Sequence, residues 1–158
     1  MCGIVGVFGN LNAKNCKAFR DMLLMDTLRG EDSTGVVAIP FSHSKQDPII
    51  EKDLGLPPNL WETTAKSKIF GKRGVPKTTF RGLIGHNRAA TIGNICVNNA
   101  HPFQFDHVYG VHNGTLRYYY DLDGYTELET DSMALYNHIS NNGIKDTWKN
   151  FTGAAARS

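Results

Sequence analysis

Cys2-Gly-Ile-Val-Gly-Val-Phe-Gly9 opens the chain, and how this stretch is read decides the fold and the chemistry together. Residues 3–8 are a short glycine and apolar run closed by Gly9-Asn10, the signature of a buried strand. Cys2 stands immediately before that strand. Removal of the initiator Met is expected when the second residue is small, and it would leave Cys2 with a free α-amine. Such an amine has a pKa of ~7.7–8, against ~10.4 for lysine, so it is substantially neutral near physiological pH. One residue then offers a nucleophilic thiol and an adjacent base. The glycine that follows lets a substrate approach the backbone closely. Taken alone, a cysteine in second position is more often accidental than catalytic.

Working outward, Asn12 is positioned to cap a helix over residues 13–28, with Gly30 just past its end. Cys16, Phe19, Met22 and Leu23 give that helix one apolar face. Val36–Ile39 reads as a second strand ended by Pro40, and the polar stretch 42–48 turns the chain into a third at Ile49–Glu51. Pro57-Pro58 opens a helix over 59–68, and residues 71–81 read as a loop. Leu83–His86 and Val108–His112 are strand-like, Thr130 caps a helix over 131–141, and a weaker helix follows near 144–150. Regular strand-helix-strand alternation is absent, which argues against a doubly wound parallel sheet and for an antiparallel α+β arrangement.

The 158 residues suit one domain with a real core. With 41% hydrophobic and 20% charged residues the chain is globular rather than disordered. No apolar run approaches the ~20 residues of a membrane span, and the N-terminus lacks the pattern of a signal peptide. Three cysteines (Cys2, Cys16, Cys96) are too few and too scattered for a disulfide framework or a zinc knuckle, so a reduced, cytoplasmic protein is expected. Seven basic residues lie between Lys66 and Arg88, with no acid from Glu62 to Asp106. That segment lacks interleaved aromatics and a recognition-helix pattern, so a nucleic-acid surface is set aside for a solvated loop.

Five further motifs follow Cys2–Gly9: RGEDSTG at 29–35, GHNRAATIG at 85–93, NAHPF at 99–103, HNGTL at 112–116 and ETDS at 129–132. Several fall at strand ends, where sites are usually built. Each is weak alone. Together and in this order, across nearly the whole chain, they resemble the glutaminase domain of type II (N-terminal nucleophile) glutamine amidotransferases, above all those of glucosamine-6-phosphate synthase and phosphoribosylpyrophosphate amidotransferase.

The resemblance implies a four-layer α-β-β-α sandwich of antiparallel sheets. It also implies hydrolysis of L-glutamine to glutamate and ammonia through a γ-glutamyl thioester on Cys2. Asn113 and the Gly114 N–H match the family's oxyanion hole, although Asn-Gly is equally the strongest short hairpin signal. Arg88 matches the residue that grips the substrate α-carboxylate, for which a planar guanidinium is suited. Asp131 matches the acid that meets the α-ammonium, with helix capping as its competing role. Thr91 and Ile92 fall beside the carboxylate site. Arg29 is expected to support the N-terminus or close the site, with capping of the preceding helix as its competing role. His86, His101 and His112 have no shared helical spacing and no suitable cysteine partner, so orientation and packing are expected of them rather than metal binding. No cofactor is implied.

Ile92 replaces a residue that is often polar in the family, and Ala89 is small where glucosamine-6-phosphate synthase has tryptophan. The family domain also continues past the strand expected near Gly153, so a C-terminally incomplete sandwich is expected. No acceptor domain is present in these residues, and a synthase domain or subunit would take the ammonia; oligomerisation is open. The rival reading is a non-catalytic glutamine-binding or oligomerising module of the same descent.

Overall fold

Gly3–Phe8 forms β1, and its antiparallel partner is β4, Phe80–Arg88, more than seventy residues away. The structure, a computed structural model, describes residues 2–62, 67–116, 118–122 and 124–150, the side chains of 148–150 excepted. β4 also pairs with β2 (Ser33–Pro40), which in turn pairs with β3 (Ile49–Leu54), giving the antiparallel order β1-β4-β2-β3. A second, two-stranded antiparallel sheet joins β5 (Phe103–Phe105) to β6 (Val108–Gly110).

The strand periodicity of two assigns the faces of the larger sheet. Leu83, Gly85 and Asn87 of β4 point to helix α1, Ala13–Met25. A Cβ on Gly85 would lie 2.8 Å from Leu23 Cδ1 and 3.0 Å from Phe19 Cζ, so this glycine is what lets the helix settle on the sheet. Phe19, Leu23, Val36, Ala38 and Leu83 are fully buried between the two layers. Truncating Leu23 to alanine there would cost about 2–5 kcal/mol.

His86 and Arg88 point to the opposite face, toward the second sheet. His86 stacks on His101 with ring centroids 4.0 Å apart, and Gly35 makes room for the His101 carbonyl. Lys52 of β3 donates to Ala100 O at 2.8 Å and lies over the Phe103 ring. Beyond the second sheet comes α3, Asp131–Asn142, whose Tyr136 ring packs on Gly110. The layers therefore run helix, sheet, sheet, helix, as the family resemblance implies, with the antiparallel sheets that the element pattern expects.

Local signals held where one element decides them. Asn12 caps α1 with a reciprocal bond to Asn15, and Thr130 caps α3 by accepting from Met133 N–H. Three expectations need correction. α1 stops at Met25 and continues as a 3-10 turn over Asp26–Arg29, and Met22 is 44% exposed because it lies off the buried Cys16-Phe19-Leu23 line. The helix expected over 59–68 is the short α2, Asn59–Glu62, with residues 67 and 68 non-helical and 63–66 outside the described residues. The loop expected over 71–81 already enters β4 at Phe80. α4 spans Ile144–Asn150, while the strand expected near Gly153 lies outside the described residues.

Asp26 sits against Gly3, close enough that no side chain fits there, and its Oδ2 is buried with no hydrogen bond among the described residues. Burial pushes its pKa up, and Arg29 only partly offsets this. A carboxyl whose folded pKa is raised contributes fully below its unfolded value of ~3.9 and loses that contribution as pH rises through the folded value. Asp26→Asn, neutral throughout, should therefore gain melting temperature relative to the native chain between pH 4 and 7. A difference that stays constant over this range would show that the carboxyl does not titrate in the fold.

Candidate active site

Because β1 and β4 are antiparallel with Gly3 opposite Asn87, Cys2 arrives beside the end of β4. Its thiol lies between the backbone groups of one residue, 3.3 Å from Ala89 N and 3.4 Å from Ala89 O. Arg29 Nε donates to the Cys2 carbonyl at 3.1 Å, so Arg29 steadies the N-terminal strand rather than capping the helix before it. Cys16 is buried on the inner face of α1 and Cys96 lies in a loop.

Cys2, Arg88, Thr91, Ile92, Gly114 and Asp131 line one small cavity, together with Ala89, His101, His112, Thr130 and Ser132. The structure thus brings together all but one of the residues singled out for catalysis and substrate binding. Asn113 is next to Gly114 but does not line the cavity. It lies past β6 in irregular chain, not in a hairpin turn; the hairpin between β5 and β6 turns at Asp106-His107, with Asp106 at φ 50°. Neither the Asn113 amide nor the Gly114 N–H is hydrogen-bonded to a described residue.

Arg88 is 4% exposed and donates to two loop carbonyls, Ile92 O at 2.6 Å and Asn94 O at 3.2 Å. It forms no salt bridge among the described residues. Bonded among the described residues only to neutral carbonyls, this buried guanidinium keeps its charge uncompensated by any anion there. Asp131, 5% exposed, accepts from Leu116 N–H and Ser132 N–H at 2.8 Å each, which ties the start of α3 to the loop carrying Gly114. Thr130, not Asp131, caps the helix.

Two supports were not singled out in the sequence. Asp32 Oδ2 accepts from Ala90 N–H at 2.7 Å and its own N–H donates to Arg88 O, so the RGEDSTG motif holds the segment that cradles the thiol. Its position inside a motif at 29–35 was the available signal. Ser132 within ETDS is the other, with its hydroxyl 2.9 Å from His112 Nδ1.

The three histidines are structural neighbours. His86 Nε2–H donates to His112 O at 3.1 Å, and His101 is packed between His86 and Phe103 with neither ring nitrogen bonded among the described residues. Burial, aided by Arg88 and His112, pushes His86 down to about 4 against the bond to His112. Burial likewise lowers His101, and lowers His112 against the pull of Asp131.

An α-β-β-α sandwich with a cysteine entering its first strand, beside a polar cavity, defines the N-terminal-nucleophile class. The chain is 36% identical over 135 residues to the glutamine-fructose-6-phosphate aminotransferase (isomerizing) of Acinetobacter baylyi, covering 85% of this chain and 19% of that protein. It is 30% identical over 119 residues to the amidophosphoribosyltransferase of Pasteurella multocida, covering 73% and 21% respectively. The solved phosphoribosylpyrophosphate amidotransferase of B. subtilis superposes with a TM-score of 0.65 at 19% identity, over 95% of this chain and 33% of that one. No family model matches the sequence. The chain belongs to the type II, N-terminal-nucleophile glutamine amidotransferases and matches their glutaminase domain, spanning about a fifth of the length of these two relatives.

An imidazole held below its ordinary pKa leaves the unfolded chain binding more protons in acid, so its contribution is present above ~6.5 and lost as pH falls toward the folded value. With His86, His101 and His112 all depressed, the melting temperature should fall between pH 6.5 and 4. His101→Phe, which keeps the ring contacts, should flatten that slope. An unchanged slope in the variant would remove His101 from the account.

Proposed function

We propose that this chain is a glutaminase, hydrolysing L-glutamine to glutamate and ammonia through a γ-glutamyl thioester on Cys2, with the ammonia passed to a synthase domain or subunit. The observation that carries this reading is that Cys2 opens onto a cavity that also holds a buried arginine, without a salt bridge among the described residues, and a buried aspartate. Removal of Met1 frees the α-amine, which takes the Sγ proton as the thiolate attacks the side-chain amide carbon. The C=O electrons move onto oxygen, where the Asn113 amide and Gly114 N–H donate. Collapse breaks the C–N bond, and the ammonium proton leaves with the departing amine as ammonia. Water then attacks the thioester, with the amine again taking a proton. The S–C bond breaks, glutamate leaves and the thiol is restored.

Arg88 binds the α-carboxylate and Asp131 the α-ammonium, with Thr91 beside them. The cavity is about 20 Å³, enough for about one water. Glutamine is larger than this, so the cavity widens to admit it, and its carboxylate competes with the Ile92 and Asn94 carbonyls for Arg88. Three unpaired cysteines suit a reducing, cytoplasmic setting. Among the described residues no helix is long and apolar enough to cross a membrane.

Intact mass should show loss of Met1 in active protein, and activity in chains that keep it would defeat the amine-base mechanism. Cys2→Ala should abolish turnover and labelling by a glutamine-analogue electrophile, whereas Cys16→Ala and Cys96→Ala should not. Glutamine binding by the native chain without turnover would favour the non-catalytic module.

Recognition and chemistry separate in a second pair. Arg88→Lys should raise KM strongly, since an ammonium cannot reproduce a bidentate grip on a group whose charge does not change. Asn113→Ala should lower kcat by about 10²–10³, because its amide is needed when the oxyanion forms. Equal kinetic defects in the two variants would sink this division of roles.

A further inference from the structure

The loop that carries Gly114 is held from several sides, and one of its supports reaches the site through a side chain. Tyr136 of α3 donates to Val111 O at 2.6 Å, His86 Nε2 donates to His112 O, and Leu116 N–H donates to Asp131 Oδ2. These fix the backbone on both sides of Gly114. Gly114 itself rests on the His112 ring: a Cβ there would lie 2.7 Å from Nε2 and 3.3 Å from Cε1. The orientation of that ring therefore sets the surface on which Gly114 sits.

The ring is oriented by a hydroxyl. Ser132 Oγ is 2.9 Å from His112 Nδ1 and 3.3 Å from Asp131 Oδ1. A hydroxyl has one proton to give, and an ionised carboxylate can only accept. Of the two possible orders, the one taken here sends the Ser132 O–H to Asp131, with Oγ accepting from His112 Nδ1–H. This order fixes the imidazole as its Nδ1–H tautomer and turns Nε2, without a proton, toward Gly114. Ser132 is 4% exposed, so water does not readily substitute for it.

We propose that Ser132 is a positioning residue: by joining His112 to Asp131 it locks the imidazole beneath Gly114 and so sets the direction of the Gly114 N–H. The proposal rests on the glutaminase reading for its kinetic consequence, since a misaimed N–H matters most when an oxyanion has formed. It is independent of that reading in its structural content, the tautomer of one histidine.

Two experiments on the full chain test it. In kinetics, Ser132→Ala should lower kcat about tenfold, as expected for a small misplacement of one donor, with KM changed less than twofold. Ser132→Thr, which keeps the hydroxyl, should restore kcat. Alkylation of Cys2 by iodoacetamide, a displacement with no oxyanion, should proceed at the native rate in both variants. His112→Phe should give the same defect, and the double variant should be no worse than either single one, because both remove one support. A rise in KM with kcat intact would assign Ser132 to Asp131 instead and overturn the proposal, as would an equal loss of iodoacetamide reactivity. In the second experiment, nitrogen NMR of the imidazoles should find His112 as the Nδ1–H tautomer in the native chain, with that preference lost in Ser132→Ala. An Nε2–H tautomer in the native chain overturns the positioning chain whether or not glutamine is turned over. Absence of turnover in the native chain with the expected tautomer defeats the glutaminase reading alone.

Discussion

Because Gly3 lies opposite Asn87 in an antiparallel ladder, the residue that precedes β1 and the residues that end β4 meet in space. The pairing puts the Cys2 thiol against Ala89 and the Arg88 guanidinium on the same side of the sheet, where the second sheet closes over it. A slip of one residue would turn His86 and Arg88 into the α1 layer and bring Asn87 to the site. Several bonds hold the register. Asn87 Nδ2 donates to Leu23 O at 2.8 Å, and the Thr34 hydroxyl is 2.9 Å from both Asn87 Oδ1 and Gly55 O. The β2 side repeats the constraint, with Thr34 opposite Asn87 and Ser33 opposite Arg88. Polar side chains on the α1 face of the strand thus keep His86 and Arg88 on the cavity face.

The interior on that other face is unusually polar, and its members are compatible only in particular charge states. Burial depresses His86 and His101, and Arg88, a permanent cation taken almost wholly out of water, further disfavours them as cations. Neutral rings can stack at 4.0 Å where two imidazolium ions would repel. The same ring carries one hydrogen bond between the layers, from His86 of the large sheet to the His112 carbonyl. Stacking and that bond couple the half of the site that holds Cys2 and Arg88 to the half that holds Gly114 and Asp131.

Much of this was legible in the sequence where a single element decides the outcome. The β1 run, the Asn12 and Thr130 caps and the apolar line through Cys16, Phe19 and Leu23 are local patterns, and each is realised. The absence of strand-helix-strand alternation correctly pointed to antiparallel sheets. What could not be read is what depends on a distant partner. Asn113-Gly114 carries the strongest local signal for a hairpin, yet Asp131 and His86 hold this loop in an irregular path, and the actual hairpin turns at Asp106 with no glycine at all. Met22 is exposed because the helix meets the sheet along a narrow line that only the glycine at position 85 defines. Asp32 looked like one more polar turn residue, and its value lies in an amide fifty-eight positions away.

The two halves of the site follow from different demands on the backbone. On the proposed reading the nucleophile uses its own α-amine and sits at a chain end, which the strand just after it and that strand's neighbours must hold. β1 meets that demand by pairing along its whole length with β4, while Arg29 fixes the Cys2 carbonyl. Oxyanion donors make the opposite demand, since a backbone N–H inside a sheet ladder is already spent. The chain leaves β6 at Gly110 and runs irregularly through 111–116, and on the proposed reading the Gly114 N–H, which is not hydrogen-bonded to a described residue, is the donor this frees. Side chains bond this irregular chain where no ladder does, through Tyr136, Asp131, Ser132 and His86. The polar interior beside the thiol is thus what an unpaired backbone needs in order to hold its donors still.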